Sequence, residues 1–474
     1  MADRSAPRGY LDDVAYPATY LRELSPAWLD YAAVINGAQP RAPTGHFRYL
    51  ELGCGQALST VVHAAAFPQA EFHACDFNPA CMASARRRAA EVAVGNVVFH
   101  ETSFAELGAA DLPSFDFVVA HGVYSWVDEA AREAIRGLID ARLAPAGLAY
   151  LTYNCLPGWA VETPLRRLLN ELAAPSIGDA ALRAQAAAGT LHRLARGSLA
   201  YFRVNPEASA AVDAYRQSPA GYLAHEFLNG TWAPMYSVDV ADEMAGIGLE
   251  LLGSATLADN HEPLLVDEGT ARAVASLATP RQRQLAMDFA VNRRFRRDLF
   301  ARSAAPGSAG GFRAVTVGCP KDPTSIATTV DVPRGRITFD PAFIEALRAL
   351  MAGGSAPFPR LLTALSRRQA DRPRIARSLL YLVAGGELAP FARPCAVADE
   401  RPPTRFASAT ARLMVARLAA SGGAGWIASP VTGAGVAMGA AEARSVLALL
   451  ERRRGKIRLP RGGLARLVRL GILA

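Results

Sequence analysis

Between Phe47 and Asn154 the chain alternates short apolar, strand-like runs with longer amphipathic ones, the pattern of a doubly wound parallel α/β sheet. Strands are predicted at Phe47–Leu52, Glu71–Asp76, Asn96–His100, Phe115–His121 and Leu148–Asn154. Helices are predicted at Ala57–Phe67, Pro79–Val92 and Asp128–Leu143, the second opened by Asn78 as N-cap and Pro79 in its first turn. Right-handed crossovers place every strand's carboxyl end on one edge, where open α/β sheets bind their ligands.

The 474 residues exceed what one such sheet needs. Residues 1–160 read as an N-terminal lid and a Rossmann-like core, although the aromatic stretch Tyr10–Pro40 suits ordinary packing as well as a lid. Residues 161–236, rich in Ala, Leu and Arg, read as a helical insertion. At 237–302 the chain returns to the first sheet, with strand character at Leu249–Thr256 and Phe295–Arg302. Residues 303–340 read as a linker, Ser303–Gly311, with connecting strands. Short helices at Pro341–Met351, Phe358–Arg367 and Arg374–Val383 suggest winged-helix-like modules in 341–474.

Composition excludes several classes. Met1–Pro7 is polar with no apolar stretch after it, so no signal peptide is expected. Gly, Ser and Pro interrupt the uncharged run Leu418–Ala441, which reads as a loop between helices and not as a membrane span. The six cysteines form no C-x-x-C pair, which fits reduced thiols in a cytoplasm and no zinc knuckle. A net charge of +8 raises the question of nucleic acid. Nearly all of it is arginine, with Lys321 and Lys456 the only lysines, and it is scattered apart from runs such as Arg86–Arg88, Arg293–Arg297 and Arg452–Arg454. A nucleic-acid partner is not expected.

The chemistry concentrates at the strand ends. Glu51-Leu52-Gly53-Cys54-Gly55 closes the first strand, and its glycines let the backbone approach a ligand beside a helix N-terminus. The third glycine of a dinucleotide site is missing. An acidic residue opening the loop suits a ligand with an amino group, such as the methionine part of S-adenosylmethionine. Asp76 ends the second strand, where an acidic side chain accepts ribose hydroxyls. Phe77, Ser103 and Phe104 are placed to border an adenine, although Phe77 also suits the core. After the fourth strand, His121-Gly122-Val123-Tyr124-Ser125-Trp126 lacks the Asn/Asp-Pro-Pro-aromatic turn of base methylation. His121 is either a hydrogen-bonded strand-end histidine or a proton acceptor. Tyr124, Trp126, Tyr153, Asn154 and Trp159 are candidates for an aromatic acceptor pocket or for core. His225-Glu226 resembles half of a zinc-protease helix, but Asn229 stands where the second histidine belongs, so no metal is expected. The pair is either structural or faces the site.

Together, Glu51–Gly55, His121–Val127, Tyr153–Trp159 and Tyr222–Asn229, with Val291–Arg296, resemble class I methyltransferases that carry a methyltransferase regulatory domain, a group including the rickettsial protein-lysine methyltransferases. The resemblance implies S-adenosylmethionine held by Gly53, Gly55 and Asp76, a helical part able to serve dimerisation, and methylation of lysine side chains on protein. The chain departs from the pattern at Ala57, where a third glycine is common, and at Ala15, where a proline is usual. On this reading His121, Tyr124 and Tyr153 serve catalysis. Glu51, Gly53, Cys54, Gly55, Asp76, Phe77, Ser103, Phe104 and His121 meet the cofactor, while Trp126, Asn154, Trp159, His225 and Glu226 meet the acceptor. Two other readings stay open: methylation of a natural-product or peptide intermediate, and a non-catalytic protein whose C-terminal modules recruit a partner.

Overall fold

The computed structural model describes residues 18–39, 45–197, 199–302, 315–395, 403–451 and 463–474. Its main sheet contains β1 (Arg48–Leu52), β2 (Glu71–Asp76), β3 (Val97–Glu101), β4 (Phe115–Ala120), β5 (Leu143–Asn154), β6 (Leu249–Ser254) and β7 (Phe295–Arg302), in the order β3-β2-β1-β4-β5-β7-β6. The first five strands pair in parallel, and β7 lies antiparallel to both β5 and β6. Tyr49, Leu50 and Leu52 of β1 are all buried, as expected of a central strand covered on both faces. Order reverses at β1 and β4, which opens a crevice over their carboxyl ends. Register brings the site residues together there: Leu52 pairs with Cys75 on one side and Ala120 on the other, so the turn after β1, Asp76 and His121 share one edge.

Helix α1 (Pro26–Ile35) packs its almost wholly buried length against the sheet, and Trp28 Nε1 donates to Ala255 O at 2.8 Å. Helices α2 (Leu58–Ala66), α3 (Pro79–Glu91), α4 (Phe104–Ala109) and α5 (Glu129–Arg142) are the crossovers between β1 and β5. Asn78 caps α3 through its side chain, accepting from Ala80 and Cys81 N–H groups. After β5 come α6 (Thr163–Ala173), α7 (Ala180–Ala195), α8 (Ala200–Val204), α9 (Pro206–Gln217) and α10 (Ala220–Leu223), followed by a π-helical turn at Ala224–Leu228. This segment has its own core, in which Leu165, Leu169, Leu191, Val212 and Phe227 gather with Trp159. Helix α11 (Ser237–Ala245) leads back to β6.

Beyond the main sheet, β8 (Thr316–Gly318) and a hairpin of β9 (Thr329–Val332) and β10 (Gly335–Thr338) precede the helix Pro341–Ala352. β8 pairs with the two-residue strands β11 (Ala356–Pro357) and β12 (Ala389–Pro390), which flank helices Phe358–Leu365 and Arg372–Ala384. The stretch read as a loop, Leu418–Ala441, is instead the end of helix Ala409–Ser421 followed by a hairpin of β13 (Ala424–Ser429) and β14 (Ala434–Gly439). Small residues hid it. Its apolar alternation rests on Ile427, Val436 and Met438, which are buried, while its turn uses Gly433 at φ +67°. Tyr20 fixes this hairpin to the core, with its ring 4.4 Å from that of Trp426 and its hydroxyl 3.2 Å from His63 Nε2 on α2.

The linker Ser303–Gly311, the run Arg452–Arg454 and the Val14–Tyr16 segment of the expected lid lie outside the described residues. Among the described residues, no helix is long and apolar enough to cross a membrane, no His/Cys/Asp/Glu group could hold a metal ion, and the six cysteines are free thiols.

Candidate active site

A cavity of about 1170 Å³ lies over the carboxyl edge of the sheet and continues under the helical segment. Its sheet end is built by the turn after β1. The N–H groups of Gly53 and Cys54 both donate to Cys75 O, at 2.8 and 3.0 Å, which ties the turn to the end of β2. Gly53 (φ +69°) and Gly55 (φ +53°) are left-handed, and a Cβ on Gly53 would lie 2.4 Å from Val123 Cγ2. Ala57 takes the same left-handed backbone, at φ +50°. The turn therefore keeps its shape where the third glycine is absent.

Asp76 accepts the Gly55 N–H on Oδ2 at 2.8 Å and the Asn78 N–H on Oδ1 at 2.9 Å. Burial pushes its pKa up, and these two donors pull it back. One lone pair on each oxygen remains available to a hydroxyl. The buried Glu51 carboxylate accepts from Thr60 Oγ1. Burial pushes its pKa up to about 7, against the Thr60 bond and helped by the charge on Asp76. Phe77, Ser103 and Phe104 border the same end, as does Cys54. Ser103 also forms the capping box of α4 with Glu106.

His121 lines the cavity, with Nδ1 2.9 Å from Tyr150 OH and its ring stacked on that tyrosine. Burial, assisted by the Arg297 charge, holds its pKa down at about 3. Its imidazole is neutral at physiological pH and a weak proton acceptor.

The far end is formed by the end of β5 and the helical segment. Asn154, Trp126, Trp159, His225 and Glu226 all line it. Arg294 Nη1 donates to Glu162 Oε1, Tyr215 OH donates to Glu162 Oε2, and the Arg294 guanidinium lies 4.2 Å over the Trp159 ring. The π turn carries His225 and Glu226, and Asn229 follows it. Such a turn widens a helix by one residue and re-aims the side chains beside it. Burial pushes the Glu226 pKa up to about 7, with Arg166 and Arg294 opposing. Asn154 and Asn229 line the cavity, and each keeps one buried amide atom, Nδ2 and Oδ1 respectively, without a hydrogen-bond partner among the described residues. Buried polar atoms left so are costly without a ligand or water to meet them.

Two expected site residues lie elsewhere. Tyr124 is fully buried and donates to Glu243 Oε2 at 2.5 Å while accepting from Arg136 Nη1 at 3.0 Å. Tyr153 donates to Asp298 Oδ2 at 2.6 Å within the sheet. Successive strand residues face opposite ways, so Tyr153 turns from the cavity that Asn154 meets. Glu162, Tyr215, Asn229 and Arg294 line the cavity but were not expected as ligand-binding residues. The signals were present: Arg294 and Asn229 lie in segments that carry the family resemblance, and Glu162 follows Trp159 by three residues.

A sheet of this order, with a left-handed glycine turn after β1 and a carboxylate ending β2, defines a class I methyltransferase fold. The methyltransferase domain family matches residues 50–149, and the predicted methyltransferase regulatory domain family matches residues 219–302. The chain thus carries a methyltransferase domain and a methyltransferase regulatory domain on a class I methyltransferase fold, and S-adenosylmethionine is the cofactor of that class. An uncharacterized protein of Synechocystis sp. is 34% identical over 294 residues, covering 62% of this chain and 58% of the relative. An uncharacterized protein of Rickettsia prowazekii is 25% identical over 301 residues, covering 62% and 52%. A trans-aconitate 2-methyltransferase of Methylobacterium radiotolerans is 32% identical over 167 residues, covering 35% and 59%. The chain thus spans between 52% and 59% of the length of these relatives. PKMT2 from Rickettsia typhi, solved in complex with AdoHcy, shares the fold at a TM-score of 0.70 and 17% identity, covering 97% of this chain and 99% of that one.

Proposed function

We propose that the protein is an S-adenosylmethionine-dependent N-methyltransferase acting on lysine side chains of protein in the cytoplasm. The observation that carries this reading is the chemistry of the far end of the cavity, which two carboxylates, Glu162 and Glu226, line together with Trp159, Tyr215, Tyr222 and Asn229. Carboxylates and π faces together favour a protonated amine. The likeness to the fold of PKMT2 supports the same direction.

The sheet end fits the cofactor. Gly53 and Gly55 leave room at the turn, Asp76 offers lone pairs for the ribose hydroxyls, and Glu51 offers a carboxylate to the amino group. Phe77, Ser103 and Phe104 would border the adenine, and Cys54 and His121 line the same cavity. When bound there, the cofactor supplies an electrophilic methyl group on sulfur. Trp126 and Trp159 exclude water between the two ends, and Asn154 orients the acceptor at the junction. Orientation is the main aid such a displacement needs.

The test is incubation of the full chain with methyl-labelled S-adenosylmethionine and a lysate of its host, followed by peptide mass spectrometry. Label on lysine Nε supports the reading. Label confined to small molecules sinks it.

A further inference from the structure

The Glu226 carboxylate stands on the π turn at the cavity wall, where no side chain hydrogen-bonds it among the described residues. Its neighbours are spoken for. Glu162 is engaged by Arg294 and Tyr215, and His121 holds its proton too weakly to accept one from an ammonium. Arg166 faces Glu226 from α6 but spends its guanidinium on the carbonyls of Glu226 and Asn229 and on the Trp232 ring. Arg294 and Glu162 reach it from the far wall, while Tyr215 on α9, Tyr222 on α10 and His225 on its own turn complete its surroundings. Asn229, three residues on, lines the same space and keeps a buried Oδ1 without a hydrogen-bond partner among the described residues.

Resting on the N-methyltransferase reading, we propose that Glu226 is the general base of the reaction, taking the proton of an acceptor ammonium held beside it in the cavity. The ammonium N–H bond breaks with its electron pair left on nitrogen, and an O–H bond forms on Glu226. The freed pair then bonds the cofactor's methyl carbon as the carbon–sulfur bond breaks, its electrons passing to sulfur. The proton leaves Glu226 for solvent at the mouth, where Tyr222 is 40% exposed.

A carboxylate that holds its proton up to about pH 7 suits this task, since proton transfer works best near the operating pH. The charge on the ammonium would favour the ionised carboxylate once it is bound.

The first arm measures single-turnover methyl transfer to a blocked Gly-Lys-Gly peptide between pH 6 and 10. Wild type is expected to rise and level off above about pH 7. Glu226→Gln is expected to be about 100-fold slower at pH 7.5 and to climb steadily with pH as the amine loses its own proton. Glu226→Asp recovers part of the rate, and all three bind S-adenosylhomocysteine within twofold by calorimetry. A Glu226→Gln profile that parallels wild type overturns the proposal. The second arm adds n-butylammonium and follows the protonated-carboxyl infrared band that Glu226→Gln removes. Loss of that band at pH 6.5 supports the contact, and an unmoved band overturns it. If the band responds while the peptide stays unmethylated, the lysine reading fails and the placement of an ammonium at Glu226 stands.

Discussion

Arg294 and Glu162 form an ion pair that joins the start of β7 to the entrance of α6. The same guanidinium stacks on Trp159, so one side chain fixes both an acid and an aromatic wall of the cavity. Arg294→Ala would leave Glu162 with Tyr215 alone and free the Trp159 ring. Because Arg294 is about half exposed, solvent screening limits the stability loss to about 1 kcal/mol. The effect belongs to the acceptor: KM for a lysine peptide should rise about tenfold, a loss of roughly 1.4 kcal/mol, with S-adenosylhomocysteine affinity within twofold. Steady-state kinetics with calorimetry checks this, and a fall confined to cofactor affinity would contradict it.

Asp76 serves the turn and the ligand together, since its two oxygens already hold the Gly55 and Asn78 N–H groups. Hydrogen bonds to a charged group contribute about 1.5–3 kcal/mol each. Asp76→Ala should therefore weaken S-adenosylhomocysteine binding at least about 100-fold, and Asp76→Asn, which keeps one acceptor oxygen, should fall between. Unchanged affinity by calorimetry would remove Asp76 from the site.

Glu51 has a pH signature. Its folded pKa, about 7, lies above its ordinary value of 4.5, so the folded chain holds the proton more tightly than the unfolded one. The stability it contributes is full below pH 4.5 and is lost as pH rises through 7, by up to about 3 kcal/mol. Glu51→Gln cannot ionise, so its melting temperature should gain on wild type between pH 5 and pH 8. A difference that stays flat over that range would show that Glu51 titrates normally.

The sheet was legible because its signals are local. Each strand of the alternating region is a short apolar run, and the N-cap at Asn78 and the acid at Asp76 sit at fixed places relative to those runs. Side-chain direction was not legible at Tyr124, where the turn after β4 points toward α11 and Arg136 rather than into the cavity. Glu162, Tyr215 and Arg294 meet only through the fold, across as many as 132 residues, and no spacing in the chain announces such a cluster. The β13–β14 hairpin escaped because glycine and alanine carry little strand preference, and packing on α2 supplies what propensity lacks.

Gly53 and Ala57 share a left-handed backbone but should answer substitution oppositely. Gly53→Ala places a Cβ 2.4 Å from Val123 Cγ2 at φ +69°. Left-handed strain costs about 1–2 kcal/mol and overpacking about 1–3 kcal/mol, so about 3 kcal/mol of stability should be lost. Ala57→Gly relieves the same strain but loses a buried methyl and gains chain entropy when unfolded. Its net change should stay under about 1 kcal/mol. Adding Val123→Ala to Gly53→Ala removes the clash and not the backbone strain. Urea denaturation of wild type, Gly53→Ala, Val123→Ala and the double variant should therefore show a favourable coupling between positions 53 and 123 of about 1–2 kcal/mol. Strict additivity would mean that the backbone conformation, and not Val123, is what requires glycine at the turn.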